Sequence, residues 1–358
     1  MAPQSILKET SAKPGERKTT AKPTGRLRKT ACAALAIAAS ATVVFLLLEI
    51  SYRFYLFKWD GLSFTKMNSV HPIGSSGLLE PSRYSDIIFE LKPNMKTHFK
   101  LKRFETNAQG FRDKKYSLEK PDGTFRVAVI GDSFTMPSGV DIEEAYHSVL
   151  EARMNARSDG TSYEFINFGV GGYYLLQYYG VLTRKATHYN PDMILIGFCA
   201  FNDQRVIPDK LLKEPYQVLR KTNPAFASFV WDTISKRLFP QKEATAEDSA
   251  EDDARAKAIK NYWYVKDIFE SMGEFSSTAE VPVVIAYLAT YPVQVEPIKS
   301  LAEEQGLYFV DTSSALGGLP LREVTINKLD PHPNPRAHKI FAEQIHNYLV
   351  AQGLLPQL

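Results

Sequence analysis

Short apolar runs alternate with helical patterns from residue 125 onward, and this alternation restricts the possible folds more than any other feature. Five runs have the length of buried strands: residues 127–130, 163–168, 193–198, 281–288 and 307–310. Helices are predicted around residues 143–157, 174–187, 256–272, 297–305 and 335–350. Crossovers of this length join parallel strands in a right-handed sense. The pattern therefore predicts an α/β fold, a three-layer α/β/α sandwich built on a parallel sheet.

The loop after the first run carries a possible nucleophile. Gly131 lets the backbone turn where the strand at residues 127–130 ends, and Ser133 follows two positions later. In open α/β sheets, ligands bind at the carboxyl ends of the strands. The tripeptide Gly-Asp-Ser is common, however, and when it is considered alone an ordinary turn in which Ser133 caps a helix explains it better.

Three further loops should lie at the same edge of the sheet. Gly172 follows the second run, Asn202 follows the third, and Asp330 and His332 precede the last helix. Because the carboxyl ends of parallel strands meet at one edge, we expect all of them to lie near Ser133. The sequence thus predicts a hydroxyl, a backbone N–H, an amide and an Asp/His pair in one crevice.

This set of groups is suited to acyl transfer from an ester. A serine hydroxyl becomes a good nucleophile when an imidazole accepts its proton, and His332 is the histidine with a neighbouring loop carboxylate. Asp330 would orient that imidazole. The backbone N–H groups of Ser133 and Gly172 and the side chain of Asn202 would stabilise the oxyanion of the tetrahedral intermediate.

Four blocks of sequence resemble the SGNH (GDSL-type) hydrolases. They are Gly131-Asp-Ser133, Asn167-x-Gly-x-Gly-Gly172, Asn202-Asp203 and Asp330-x-His332, and the resemblance covers residues 125–349. It implies a flavodoxin-like sheet, Ser133 as nucleophile, Gly172 and Asn202 as oxyanion donors, and Asp330 and His332 as the other triad members. The Asn-x-x-Gly-Phe-Arg segment at 107–112 is similar to membrane-tethered bacterial members, some of which act on O-acyl groups of surface glycans.

Two blocks depart from the family pattern. Small glycines usually precede the Asn of the third block, whereas Ala200 and Phe201 stand there in this chain and predict a bulkier pocket wall. Two residues usually separate Asp from His in the last block, whereas only Pro331 does so here. The tighter spacing recurs in SGNH-like O-acetyltransfer proteins, and it favours carbohydrate acyl chemistry.

The N-terminal part of the chain predicts a membrane anchor. Residues 1–30 are read as a disordered basic cytosolic tail and 31–57 as a transmembrane signal anchor, since 18 apolar residues are followed by an aromatic belt. The positive-inside rule then places the rest in the periplasm or outside the cell. The alternative is a signal peptide cleaved near residues 39–41.

The remaining chain is divided by composition. Residues 58–124 are read as a connecting region and 125–351 as the hydrolase domain. Within that domain, residues 204–280 form an irregular insertion with helical pieces at 211–238 and a disordered acidic loop at 243–255.

Composition excludes several functions. Eight basic and two acidic residues occupy the first 30 positions, so the rest of the 358-residue chain is slightly acidic and no nucleic-acid surface is expected. The two cysteines, Cys32 and Cys199, provide no disulfide framework, and Cys199 is read as a buried hydrophobe. No metal site, dinucleotide fingerprint or P-loop is recognisable, and therefore no cofactor is expected.

The sequence hypothesis is a membrane-anchored serine esterase that removes short acyl groups from a polysaccharide or glycoconjugate. Two alternatives are an O-acetyltransferase acting on surface glycans, and a non-catalytic glycan-binding scaffold with the same fold. Tyrosines at 173, 174, 178 and 179 either line a sugar site or, as we favour, pack a helix against the sheet. His338 and His346 are read as surface or packing residues.

Overall fold

The computed structural model describes residues 25–67, 69–70, 72–157, 160–208, 211, 247–291 and 293–356. The chain divides into two compact units, Met1–Glu49 and Ile50–Leu358. In the first unit the described residues are helical, and they belong to a helix that is long and apolar enough to cross a membrane. Signal sequences near an N-terminus meet the same criterion. The prediction of an apolar N-terminal helix is therefore confirmed, whereas its orientation stays a prediction.

The described helices are α1 Gly25–Phe57, α2 Phe64–Met67, α3 Tyr146–Asn155, α4 Leu175–Arg184, α5 Glu247–Ala279, α6 Glu296–Glu304, α7 Leu321–Val324 and α8 Pro335–Ala351. The strands are β1 Leu79–Pro81, β2 Phe89–Leu91, β3 Lys96–Phe99, β4 Lys102–Glu105, β5 Thr124–Gly131, β6 Ser162–Asn167, β7 Met193–Cys199, β8 Val283–Leu288, β9 Tyr308–Asp311, β10 Thr325–Asn327 and β11 Asp330–Pro333.

Five of these strands form one parallel sheet in the order β6-β5-β7-β8-β9. Counted along the chain, the order is 2-1-3-4-5, as in flavodoxin-like folds. The direction of winding reverses at the first strand, β5, whose neighbours are β6 and β7. Ligands bind in such folds outside the carboxyl ends of the strands at this reversal. The predicted strands are thus confirmed, and the sheet topology points to the loop after β5.

Helices cover both faces of the sheet. Alternate strand residues such as Ala128 and Ile130 point into one core with helices α4, α5 and α6, and their neighbours Val127 and Val129 point into a second core with α3 and α8. The strands are buried on both faces, which explains why they read as continuous apolar runs in the sequence. The three-layer α/β/α sandwich is confirmed.

The segment read as a connecting region is packed into the second unit. Its short antiparallel pairs are β1 with β2 and β3 with β4. Side chains from this segment, among them Ile87, Phe89, Phe104 and Phe111, belong to the same core as α4. The region therefore contributes apolar packing to the fold and is more than a linker. The exact domain boundaries stay a prediction.

Two local predictions differ from the structure. The prediction of a disordered acidic loop at 243–255 is wrong for residues 247–255, which are the first part of α5. Residues 243–246 lie outside the described residues. So do the helical pieces predicted at 211–238, apart from Leu211. The predicted loop around Asp330 and His332 forms β11, which pairs with β10 as a small antiparallel hairpin.

Candidate active site

Ser133 lies in a tight turn directly after β5. The Asp132 carboxylate accepts the backbone N–H of Phe134 at 2.8 Å, and the N–H of Met136 donates to the carbonyl of Asp132. A Cβ atom at Gly131 would lie 2.1 Å from Oγ1 of Thr135. Only glycine therefore permits this close approach, which turns the chain so that the side chain of Ser133 borders a cavity.

The structure brings the predicted serine, histidine and aspartate together. Nε2 of His332 lies 2.8 Å from Oγ of Ser133, although 199 positions separate them in the chain. Nδ1 of the same ring lies 2.5 Å from Oδ1 of Asp330. Because Asp330 and His332 are two positions apart on β11, both side chains leave the same face of the strand. The one-residue spacing noted in the sequence is thus suited to a strand.

The charge of Asp330 is stabilised by its neighbours. Burial opposes ionisation, but the hydrogen bond and charge of His332 and the charge of Lys100 hold the pKa of Asp330 below its usual value. Nζ of Lys100 lies 2.8 Å from Oδ2 of Asp330 and 3.0 Å from Nδ1 of His332. This arrangement keeps Asp330 an acceptor at neutral pH.

Sequence reasoning missed Lys100. It sits at the tip of the β3–β4 hairpin with a φ of 48°, and Leu101 beside it has a φ of 71°. A lysine and a leucine are not typical of left-handed turn positions, so nothing in the local sequence marked this tip as part of a site.

The predicted oxyanion donors border the same cavity. Ser133, Gly172, Asn202, Asp330 and His332 all line a cavity of about 610 Å³. Gly172 has a φ of 85°, a conformation that favours glycine. Nδ2 of Asn202 donates to Oδ2 of Asp132 at 2.9 Å. An amide nitrogen carries two hydrogens, so this bond fixes the side chain and leaves the second N–H for a substrate oxygen.

Asp203 holds the loop that carries Asn202. Its carboxyl group accepts the hydroxyl of Tyr178 at 2.9 and 3.0 Å and the backbone N–H of Cys199 at 2.5 Å. Burial and the nearby carboxylate of Asp132 raise the pKa of Asp203 well above its usual value. Cys199 is buried, as predicted. Asn202 therefore lines the cavity, and the buried Asp203 next to it fixes the loop that carries it.

Arg112 is a second residue whose role sequence reasoning missed, although the segment at 107–112 was noted. Its guanidinium is buried and donates to four backbone carbonyls: Met136 at 2.8 Å, Pro137 at 2.6 Å, Val140 at 2.8 Å and Arg103 at 3.0 Å. Burial lowers the pKa of Arg112 to about 10. Three of these carbonyls belong to the loop after Ser133, so Arg112 fixes the shape of that loop.

Other predictions for the neighbourhood have mixed outcomes. Phe201 packs against Phe134 and Tyr291 and is not among the described residues that line the cavity, so the prediction of a bulkier pocket wall is wrong.

The tyrosines of α4 and the preceding loop pack in or against the core, as favoured from the sequence. His338 is buried against Tyr146, which confirms a packing role. Among the described residues there is no cluster of metal-ligating side chains.

Comparison with known proteins gives similarity in structure alone. The sequence matches no protein-family model and no curated protein. An α/β hydrolase enzyme from the metagenome of Lake Arreo, Spain, is 16% identical with a TM-score of 0.40, over 65% of this chain and 97% of the other. A variant of an acetyl xylan esterase from Geobacillus stearothermophilus is 13% identical with a TM-score of 0.40, over 63% of this chain and 94% of the other.

A two-domain esterase active on acetylated mannans is 16% identical with a TM-score of 0.42, over 65% of this chain and 51% of the other. This chain thus spans about half the length of that esterase. At this level of similarity the matches do not assign a function to this chain.

Proposed function

We propose that the protein is a serine ester hydrolase that forms an acyl intermediate on Ser133. The observation that carries this proposal is the continuous chain of contacts from Oγ of Ser133 through the His332 ring to Asp330, at 2.8 and 2.5 Å. Distances of this size satisfy the geometric requirement for a nucleophile, a general base and an orienting carboxylate.

The proposed reaction has two halves, the acylation of Ser133 and the hydrolysis of the acyl intermediate. Nε2 of His332 accepts the hydroxyl proton as Oγ of Ser133 bonds to the ester carbonyl carbon. The resulting oxyanion receives hydrogen bonds from the backbone N–H groups of Ser133 and Gly172 and from Nδ2 of Asn202. The bond to the alcohol oxygen then breaks, and the imidazolium returns its proton to that oxygen. Water, activated by His332, releases the acid and restores Ser133.

Asp330 supports these steps as a charged acceptor. Its hydrogen bond to Nδ1 keeps Nε2 of His332 unprotonated and directed at Ser133 before the reaction, and its negative charge stabilises the imidazolium that forms. Lys100 keeps Asp330 ionised and in place through the contact at 2.8 Å. The resemblance of the four sequence blocks to the SGNH hydrolases is consistent with these roles, and it adds an acylated polysaccharide or glycoconjugate as a candidate substrate.

We also propose that helix α1 anchors the enzyme in a membrane. The basic residues before it favour a cytosolic N-terminus, which places the second unit in the periplasm or outside the cell. An anchored enzyme of this kind acts on esters that reach the membrane surface.

Substitution of the nucleophile tests the proposal. Ser133→Ala should lower kcat on small acetyl esters by at least about 1,000-fold, and a serine-directed phosphonate should label the wild type and not the variant. Ser117→Ala is the matched control, because Ser117 is exposed and hydrogen-bonds locally to the carbonyl of Glu119. Full activity or labelling of Ser133→Ala would contradict the proposal, and a wild type that is neither active nor labelled would indicate a non-catalytic scaffold.

A further inference from the structure

The wall of the cavity is apolar outside the proposed reacting centre. Its apolar side chains are Phe57, Val70, Pro72, Ile73, Phe99, Leu101, Ile326, Leu329 and Pro331. The polar lining residues Ser133, Asn202, Asp330 and His332 are already assigned to the reaction, and Lys100 is paired with Asp330. Among the described lining residues, Asn327 is the one polar side chain left over. Its Oδ1 accepts the backbone N–H groups of Leu329 and Asp330.

Such a wall does not suit the hydroxyl groups of a sugar or the small volume of an acetyl group. Each buried sugar hydroxyl needs a hydrogen-bond partner, since a polar group buried without one is costly. A cavity of about 610 Å³ also has far more room than an acetyl group fills. Burial of an aliphatic chain, in contrast, gains from every methylene that leaves water.

The cavity also lies beside the last residues of the predicted membrane anchor. Phe57, the last residue of α1, is one of the lining residues. Nζ of Lys328, at the tip of the β10–β11 hairpin, lies 5.4 Å from the ring centre of Tyr55. Leu329 next to it lines the cavity while 51% exposed, so it marks the mouth. Trp59 is 76% exposed, as is typical of a residue at a membrane interface.

We propose that this cavity holds a long aliphatic acyl chain of an amphiphilic ester that enters from the membrane surface. The inference rests on the proposed serine esterase function and specifies its substrate: the acyl group bonded to Ser133 is long and apolar. This long acyl group replaces the short one of the hypothesis drawn from the sequence. The alcohol part of the ester leaves through the mouth, so a glycoconjugate remains compatible with it.

A chain-length series with the full chain in phosphatidylcholine nanodiscs tests this proposal. The p-nitrophenyl acetate, butyrate, octanoate and dodecanoate esters vary the acyl group while the alcohol stays constant. We expect kcat/KM, calculated with the concentration of ester dissolved in the water phase, to rise about fourfold per added methylene until the cavity is full. A fall with chain length would overturn the proposal. A rise seen instead in a series of acetate esters with longer alcohols would do so as well.

Two variants assign the preference to the cavity. Val70→Trp fills it, and Leu329→Asn makes its mouth polar; each should lower the octanoate-to-acetate ratio of kcat/KM by about tenfold or more. The matched control is Leu118→Asn, because Leu118 is 59% exposed and is not one of the lining residues. Leu118→Asn should keep the wild-type ratio. Wild-type ratios in both cavity variants would overturn the proposal.

The membrane as the source of the ester is tested by surface dilution. If dodecanoate ester enters from the bilayer, adding phosphatidylcholine at a constant amount of ester should lower the rate in proportion. A rate that depends only on the bulk concentration would overturn this part of the proposal.

Failure of the cavity proposal can be distinguished from failure of the catalytic one. Binding of a fluorescent dodecanoate to Ser133→Ala does not require turnover. We expect saturable binding that Val70→Trp abolishes. Binding without any ester hydrolysis by the wild type would contradict the esterase and support the apolar site, whereas Ser133-dependent hydrolysis without binding would contradict the site and support the esterase.

Discussion

Arg112 provides the most stringent test of how the loop after Ser133 is held in place. Its buried guanidinium donates to four carbonyls, and three of them, at Met136, Pro137 and Val140, lie just after Ser133. Those three carbonyls lie outside the strands and helices, so no regular ladder of backbone hydrogen bonds pairs them. A planar fork with several N–H groups is suited to this task, and an ammonium group is less so.

The cost of removing Arg112 follows from the carbonyls left behind. A buried carbonyl without a partner costs about 1–3 kcal/mol, and removal of the desolvated cation returns part of that loss. The carbonyl of Pro137 also accepts the N–H of Val140, so we take the lower end for the other three carbonyls and expect Arg112→Met to lower the free energy of unfolding by about 3 kcal/mol. Arg112→Lys keeps the charge but reaches fewer carbonyls, so we expect a loss of about 2 kcal/mol.

Urea unfolding of the two variants at pH 7, followed by the near-UV signal, measures these losses. The N–H of Ser138 donates to the carbonyl of Ser133 at 2.9 Å, so a shifted loop moves Ser133, the proposed nucleophile. The folded fraction of Arg112→Lys should consequently show a kcat about tenfold lower or more, because small misplacements of reacting groups are costly. A loss of stability below about 1 kcal/mol in Arg112→Met would refute the reasoning, since single orphaned carbonyls already cost that much.

Three further predictions follow from the site and the buried histidines. Asn202→Ala should lower kcat about 100- to 1,000-fold in a steady-state assay, with KM little changed, because an oxyanion donor acts in the transition state. Gly172→Ala should lower stability by about 1–2 kcal/mol in urea unfolding, since alanine is strained at a φ of 85°. Burial, with the nearby charges of His147 and Arg112, lowers the pKa of His338 to about 3. The unfolded chain binds this proton below about pH 6.5 and the folded protein does not, so wild type should lose about 2 kcal/mol more than His338→Asn between pH 7 and pH 5.

Each of these predictions has a result that contradicts it. A kcat for Asn202→Ala within a few-fold of wild type would remove Asn202 from the oxyanion site. If Gly172→Ala has the same free energy of unfolding as wild type, the backbone at residue 172 does not have the left-handed conformation. A constant difference in stability between wild type and His338→Asn across the pH range would show that this histidine is not buried as a neutral group.

The amino-acid sequence determined the layers of the fold and most of the candidate site. Strands buried on both faces are encoded locally as apolar runs, and amphipathic helices as periodic patterns, so the five-stranded sheet was predictable. Ser133, Gly172, Asn202 and His332 follow strands or precede a helix, and topology alone places them at one edge. The contact distances among these residues could not be obtained from the sequence, although their proximity could.

The tertiary structure alone decided which other residues meet this edge. Lys100 and Arg112 reach the site from the segment at 58–124, whose irregular pairs and left-handed turn residues have no periodic pattern. The apolar wall of the cavity was equally hidden, because its residues come from four separate segments and each of them looks ordinary in its own stretch. Periodicity reports which face of one element is buried, whereas a cavity depends on contacts between distant elements, and these are set only when the chain has folded.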